Sequence, residues 1–378
     1  MAYLNDSQLQ WCAEHREETL DLLRTLGKIP APSHHEEKRA AFVKEWLEAQ
    51  GAEGVYIDEA LNVIYPIGVT ADNPVAVIMA HTDIVFPDTE ELEMHEADGK
   101  LYAPGIGDDT SNLVNLMMAA QYVAKHGPVP KLGVLIVANS CEEGLGNLKG
   151  SRQIMKDFEG RVTELISLDG GLDWVVNDAV GSHRMKVKIT AEGGHSYGAF
   201  GNTNAIVQMA ELIGRLYEKK VPEKAKTTYN VGVIEGGTTV NSICAECSML
   251  YEYRSEDREC LAEMEAFFHG VVQEFRDRGV NVDVEVLGVR PCTGDVDAEK
   301  LRDLTQRMAG ILREYTGNEI GEGAASTDAN SALAVGVPAV TIGAALGHGA
   351  HTRGEWTDLA MMAVGQKIAL ATVLQYFK

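Results

Sequence analysis

The chain is short of cysteine and of positive charge, and each shortage closes off a class of protein. Six cysteines in 378 residues (Cys12, Cys141, Cys244, Cys247, Cys260 and Cys292) are too sparse for the disulfide framework of a secreted domain. Cys244 and Cys247 form a C-x-x-C, but they sit in a strand-like run with no second Cys/His pair at finger spacing, so they read as core residues. Lys and Arg together number 33 against 56 Asp and Glu, a net charge of −23. That balance argues against nucleic acid and anionic membranes as partners, because both reward clustered basic side chains. No apolar run approaches the roughly 20 residues that span a bilayer, and residues 1–11 are polar rather than signal-like. A reducing cytoplasm is the simplest compartment. No G-x-G-x-x-G lies between a strand and a helix, so a dinucleotide-binding enzyme is not expected.

A chain of this length exceeds what one core usually organises, so two domains are expected. The first fifty residues read as two amphipathic helices separated by Ile29-Pro-Ala-Pro-Ser33. Ser33 and Glu36 have the spacing of a capping box for the second helix, with His34 and His35 as exposed helix-start residues. Apolar runs then end repeatedly in polar clusters. Val75 to Ala80 meets His81-Thr82-Asp83, Leu132 to Asn139 meets Glu142-Glu143, and Leu165 to Leu168 meets Asp169-Gly-Gly. Val337 to Ile342 leads towards His348 and His351. A helical pattern from Asp109 to His126 lies between the first two. Strands alternating with helices predict an α/β sheet with a substantial parallel part. Ligands bind such sheets outside the carboxyl ends of strands, so the polar clusters should converge on one edge.

From His183 the order changes to strand, helix, strand, strand, helix, strand, the ferredoxin-like sequence of elements. The expectation is a metal-binding catalytic domain of residues 1–182 and 291–378, interrupted by a compact α+β domain of residues 183–290.

The polar clusters carry the chemistry. In extended chain His81 and Asp83 project to one side, and a carboxylate behind a histidine fixes the tautomer that metal binding requires. Gly105-Ile-Gly-Asp108-Asp109 puts two carboxylates at a helix start. They read either as a cap complementing the helix dipole or as a bridging ligand, Asp108, with Asp109 turned away. Glu142, Glu143 and Asp169 at a buried sheet edge would raise one another's pKa unless something positive compensates. Asp108, Glu142, Glu143 and Asp169 bring four negative charges to one cleft, and two divalent cations would balance them.

The ordered set H-T-D, G-D-D, E-E-G, L-D-G-G, G-G-H-S and a late G-H-x-x-H resembles the dizinc exopeptidase and aminoacylase family over nearly the whole chain. That family includes peptidase T, glutamate carboxypeptidase and acetylornithine deacetylase. The resemblance implies that His81 and Asp169 bind one metal, that Glu143 and His351 bind the other, and that Asp108 bridges them. Zinc is the first expectation for both, with manganese or cobalt as alternatives. Asp83 would orient His81 and Glu142 would be the general base. His351 is preferred over His348 because Thr352 and Glu355 follow it, as in the family's H-S-x-x-E ending. His195, in Gly193-Gly194-His195-Ser196 of the inserted domain, would donate to an oxyanion of the same or the partner chain's site, and in the family that domain often carries a dimer interface. Arg254 would clamp a substrate carboxylate and Asn241 would contact the substrate backbone. The sequence departs from the family's D-x-K in having Thr110 after Asp108-Asp109, which removes a cation near the site.

An aspartate at position 169 points within the family towards an aminopeptidase acting on short peptides. A carboxypeptidase or N-acyl amino acid deacylase is the second reading, and a catalytically silent binding module the third. A homodimer through the inserted domain is the expected assembly.

Overall fold

The computed structural model describes residues 2–378. The chain folds into two compact units, one running up to Ala179 and resuming at Gly294, the other Val180–Thr293.

The larger unit is built on an eight-stranded mixed sheet. Its strands in chain order are β1 (Tyr56–Ile57), β2 (Val63–Ile67), β3 (Val75–His81), β4 (Gly133–Asn139), β5 (Val162–Leu168) and β6 (Trp174–Ala179). Four antiparallel strands of the other unit follow: β7 (Gly181–Thr190), β8 (Thr227–Gly236), β9 (Glu246–Ser255) and β10 (Asn281–Arg290). The chain then returns with β11 (Gly321–Ala325) and β12 (Ala339–Ile342). The order across the large sheet is β1-β2-β4-β3-β5-β12-β6-β11. The central four, β4, β3, β5 and β12, are mutually parallel.

All seven residues of β3 and all seven of β4 are buried, the signature of parallel strands covered on both faces. Their alternation shows the two faces directly. Ala76, Ile78, Ala80, Val134 and Ile136 join the core beneath helices Ser111–His126, Ala298–Thr316 and Met362–Leu374. Val75, Val77, Met79, Leu135 and Val137 face the opposite way, against Lys149–Asp157 and Ala329–Ala334. Truncating Ile78 to alanine would cost about 2–5 kcal/mol, because neither face lets the cavity fill with water.

The chain start differs from the expected helix pair. Three helices form, Asp6–Glu14, Arg16–Leu26 and Glu37–Ala49, with the break between the first two at His15. The expected capping box is also absent: Glu36 occupies the N-cap position without a side-chain cap bond, and His34 lies in a preceding turn at φ 73°. Ser33 and Glu36 are engaged elsewhere, as described below.

The smaller unit has strand order β8-β9-β7-β10, all antiparallel, which is the ferredoxin-like topology. Met185, Val187 and Ile189 alternate inward from β7 to meet Met249, Tyr251 and Tyr253 of β9 beneath helices Ala205–Leu216 and Arg258–Asp277. Asn204 and Asp257 cap those helices by accepting backbone N–H groups of their first turns. Cys244 and Cys247 are buried in this core and carry no disulfide.

Candidate metal centre

The topology itself collects the polar clusters. Because β4, β3, β5 and β12 run the same way, their carboxyl ends share one edge, where the chain leaves at His81, Asn139, Leu168 and Ile342. The Asp169 N–H donates to the Ile342 carbonyl (2.8 Å), tying two of these exits together. His351 reaches the edge from the loop between two short strands, Gly347–His348 and Trp356–Asp358.

Two groups of potential ligands result, His81 with Asp108 and Asp169, and Asp108 with Glu143 and His351. Within each, the donor atoms lie within 4.8 Å of one another. Asp108 belongs to both and divides its oxygens between them. Its Oδ1 is 3.1 Å from His81 Nε2 and its Oδ2 is 3.3 Å from His351 Nε2. Glu143 Oε2 is 3.2 Å from the same His351 nitrogen. His348 is not part of this geometry; its ring packs on Trp356 instead.

The electrostatics show what the edge demands. Burial drives the Glu143 carboxyl up to about 7 and Asp169 well above the carboxylate range, with Asp108 adding to both. Burial also pushes Asp108 upward, but the imidazoles of His351 and His81 outweigh it and hold this carboxyl below its ordinary range. The bonds from Asp108 and Glu143 raise His351 to about 10. Burial works against protonation of His81, yet Asp109, Asp108 and Asp83 together lift it well above its usual value. Around the ionised Asp108 the other four groups are all pulled towards more positive charge, and among the described residues the buried Oε1 of Glu143 has no hydrogen-bond partner. This donor set of two imidazoles and three carboxylates fits a pair of divalent cations.

A surrounding layer fixes these groups. His81 Nδ1 faces the backbone carbonyl of Asp83 (3.0 Å) and, at 3.4 Å, its carboxylate. Both are acceptors, so Nδ1 carries a proton and Nε2 faces Asp108. The closer partner is the carbonyl, because the Asp83 carboxylate is engaged in front. It accepts the N–H groups of Glu142 (2.9 Å) and Glu143 (3.0 Å) and the hydroxyl of Ser33 (2.6 Å). Glu36 accepts the preceding N–H, that of Cys141 (3.0 Å). Three successive amides that aim Glu142 and Glu143 are thus held by two buried carboxylates. Asp109 does turn away from Asp108, to accept the His81 N–H (3.0 Å) and the Asn112 amide (2.6 Å).

Glu355 clasps the loop on the other side. Its carboxylate accepts the N–H groups of Gly105 (3.0 Å), Gly107 (2.7 Å) and Asp108 (2.7 Å). Burial raises its pKa to about 7. Gly105 is required here, since its φ is 68° and a Cβ would stand 2.2 Å from Ile84 Cγ2. Arg39 is wholly buried in the same layer. Burial draws its pKa down to about 10 while Asp83, Glu355 and Asp109 oppose that, so it remains a cation. Asp328, buried and raised to about 7 by burial and then by Glu142, accepts from Asn139 (2.6 Å).

The smaller unit holds the remaining expected residues. His195 pairs in register with Ser242 on two short strands, and Asn241 accepts the Ser196 N–H through its carbonyl. His195 Nδ1 accepts the N–H groups of Tyr197 and Gly198 (3.2 Å each). A ring nitrogen accepting from two amides carries no proton, so the neutral ring bears it on Nε2, a ready donor. Arg254 differs from expectation in one respect. Its guanidinium fork is already filled by Glu252, with bonds of 3.0 and 2.9 Å, the bidentate pairing foreseen for a substrate.

A mixed α/β sheet with two groups of potential ligands sharing one carboxylate beyond its parallel strand ends fits a metallohydrolase with a dinuclear site. The chain belongs to peptidase family M20/M25/M40, whose family model matches residues 77–375. It is 25% identical over 298 residues to an acetylornithine deacetylase of Myxococcus xanthus, covering 75% of each chain. Its fold matches a tripeptidase from Staphylococcus aureus with a TM-score of 0.73 at 21% identity, over 95% of this chain and 98% of that one. It also matches the aminopeptidase PepT from Bacillus cereus with a TM-score of 0.68 at 20% identity, over 94% and 97%.

Proposed function

We propose that the protein is a cytoplasmic aminopeptidase that removes the first residue of short peptides with two divalent metal ions, zinc foremost. The observation that carries this reading is the division of the two Asp108 oxygens between His81 and His351. His81 and Asp169 would hold one ion and Glu143 and His351 the other, with Asp108 between them. Bound ions of this kind polarise the scissile carbonyl and make bound water acidic near neutral pH. Glu142, aimed by its N–H bond to Asp83, accepts a proton from the attacking water and returns it to the departing amine. Nε2–H of His195 donates to the oxygen that gains negative charge. Asn241 contacts the substrate backbone, and Arg254 takes a substrate carboxylate only by exchanging it for Glu252. A homodimer would form through the inserted unit.

The tripeptidase and aminopeptidase matches favour free short peptides. The acetylornithine deacetylase relative favours a second reading, hydrolysis of N-acyl amino acids. Mass-spectrometric cleavage of matched tripeptides, free and N-acetylated, by zinc-loaded and chelator-treated protein separates them. Metal-dependent loss of the first residue from the free peptide alone is the expected result. Cleavage of the acetylated peptide alone would establish the deacylase or carboxypeptidase reading. Zinc retention without cleavage of either would indicate a silent binding module.

A further inference from the structure

Arg39 is the buried cation among the groups that hold the candidate ligands, and among the described residues it forms no direct ion pair. Its Nε donates to the Ile29 carbonyl (2.7 Å). Its Nη1 donates to the Thr82 carbonyl (2.9 Å) and to the Thr110 hydroxyl (3.1 Å). Thr82 lies between His81 and Asp83, and Thr110 lies two residues after Asp108. One guanidinium therefore joins the two segments whose side chains meet at Asp108 Oδ1. The Thr110 hydroxyl passes the connection on to the Gly105 carbonyl (2.6 Å), inside the loop that Glu355 clasps.

The charge around Arg39 has the same focus. The carboxylates that act on it most are those of Asp83, Glu355 and Asp109. Each of them accepts backbone N–H groups of a ligand-bearing segment: Glu142 and Glu143, Asp108, and His81 respectively. A buried guanidinium costs several kcal/mol to desolvate, and its second terminal nitrogen is left without a hydrogen-bond partner among the described residues. A methionine would fill similar space without that cost, so a role in packing alone does not account for an arginine here.

We propose that Arg39 is a positioning residue and the fixed counter-charge of this edge. It staples the His81–Asp83 segment to the Asp108–Thr110 segment and offsets the three carboxylates that aim the ligands. The proposal rests on the metal-site reading above. It assigns to Arg39, approaching from a different helix, the positive charge that Thr110 does not supply.

The test compares Arg39→Met, Arg39→Lys and the double variant Arg39→Met/Thr110→Lys, in which the cation is moved to the other side of the same contact. Zinc affinity by calorimetry and amide exchange at His81, Asp108, Glu142 and Glu143 are the readouts. Arg39→Met should lose about 10–100-fold in zinc affinity, the usual effect of removing a group that orients ligands. Its exchange should rise at those amides more than in the rest of the unit. The double variant should regain most of both, which a purely space-filling role would not allow, and Arg39→Lys should fall between. A folded Arg39→Met with wild-type affinity and exchange overturns the proposal. Should Arg39→Met not fold, a folded double variant with wild-type affinity supports the counter-charge, and one still weakened about 10–100-fold overturns it. Wild-type protein that binds fewer than two zinc ions counts against the dinuclear reading, while the exchange data still judge the staple.

Discussion

The two units treat polar groups in opposite ways. In the larger unit the edge beyond β3, β4 and β5 buries Asp83, Asp109, Glu142, Glu143, Glu355, Arg39 and Asp328. In the smaller unit the buried polar side chains are mostly hydroxyls, those of Ser182, Thr227, Ser255, Tyr251 and Tyr253, with Arg290 the one buried charge among the described residues, and His195, Asn241 and Tyr197 stand in solvent. Burying ionisable groups costs several kcal/mol apiece unless each finds partners. Such a cluster suits a place where rigid aim is needed, and Asp83 and Glu355 accept N–H groups of the backbone that bears the candidate ligands. The exposed residues of the smaller unit are inexpensive to keep and inexpensive to remove. Function and stability should therefore separate there, and stay coupled at the buried edge.

The largest effect expected is at Glu142. On the proposed mechanism Glu142→Gln lowers kcat by about 10²–10⁴-fold or more while two equivalents of zinc remain bound. Turnover close to wild type would remove Glu142 from the role of base. His195→Ala comes next, with a loss of roughly 10²–10³ in kcat and a stability change under about 0.5 kcal/mol. A large drop in Tm would break the contrast between the units, because an exposed residue would then be holding structure.

Glu355→Ala should couple both quantities. It strands the N–H groups of Gly105, Gly107 and Asp108, costing about 2–4 kcal/mol and about 10–100-fold in zinc affinity. Chemical denaturation and calorimetry on the same sample measure the two. A loss of stability with unchanged zinc affinity would mean that the clasp serves the fold alone.

How far the sequence discloses this edge depends on the range of the interactions. His81, Asp108, Glu142, Glu143 and Asp169 are visible because each ends a strand, follows one within a few residues or precedes a helix, and the parallel strands bring those exits together. The layer behind them is harder to see, because its bonds cross the chain. Ser33 and Glu36 match a local capping pattern, yet Ser33 bonds Asp83 fifty residues on and Glu36 bonds Cys141. Arg39 did leave a signal. It stands four residues before Val43 and eight before Leu47, on the buried face of its helix, where a surface arginine does not belong. Asp328 left no local signal, since its partner Asn139 lies on a strand far away in the chain. In the smaller unit nearly all elements follow from alternation and caps, because its contacts are regular. What the sequence could not show there was that Glu252, two residues from Arg254 on the same strand, already fills the arginine's fork.

A smaller effect tests the helix cap in the inserted unit. Lys224, and then the N–H of Cys260, hold the Asp257 carboxyl at about 2. An aspartate is near 3.9 in unfolded chain. The folded value is the lower one, so its contribution is complete above about pH 4 and disappears as pH falls through about 2. Asp257→Ala should cost about 1 kcal/mol near neutrality, chiefly the cap. Wild type and variant should converge at the acid end. A difference that persisted at pH 2 would assign the effect to packing.

The smallest effect is expected at Arg254, and it bears most directly on substrate. The Arg254–Glu252 pair is about one-third exposed, a setting in which ion pairs contribute about 0–1 kcal/mol. Arg254→Ala should therefore leave Tm nearly unchanged. Its influence on catalysis depends on whether a substrate carboxylate can displace Glu252. If it does, Arg254→Ala raises KM for peptides with a free carboxyl terminus and not for their amides, and Glu252→Gln lowers KM for the free acids by releasing the fork. If the pair is only structural, neither variant distinguishes acid from amide. KM measured for one tripeptide in both forms, on both variants, decides whether this unit supplies recognition as well as the proposed His195 donor.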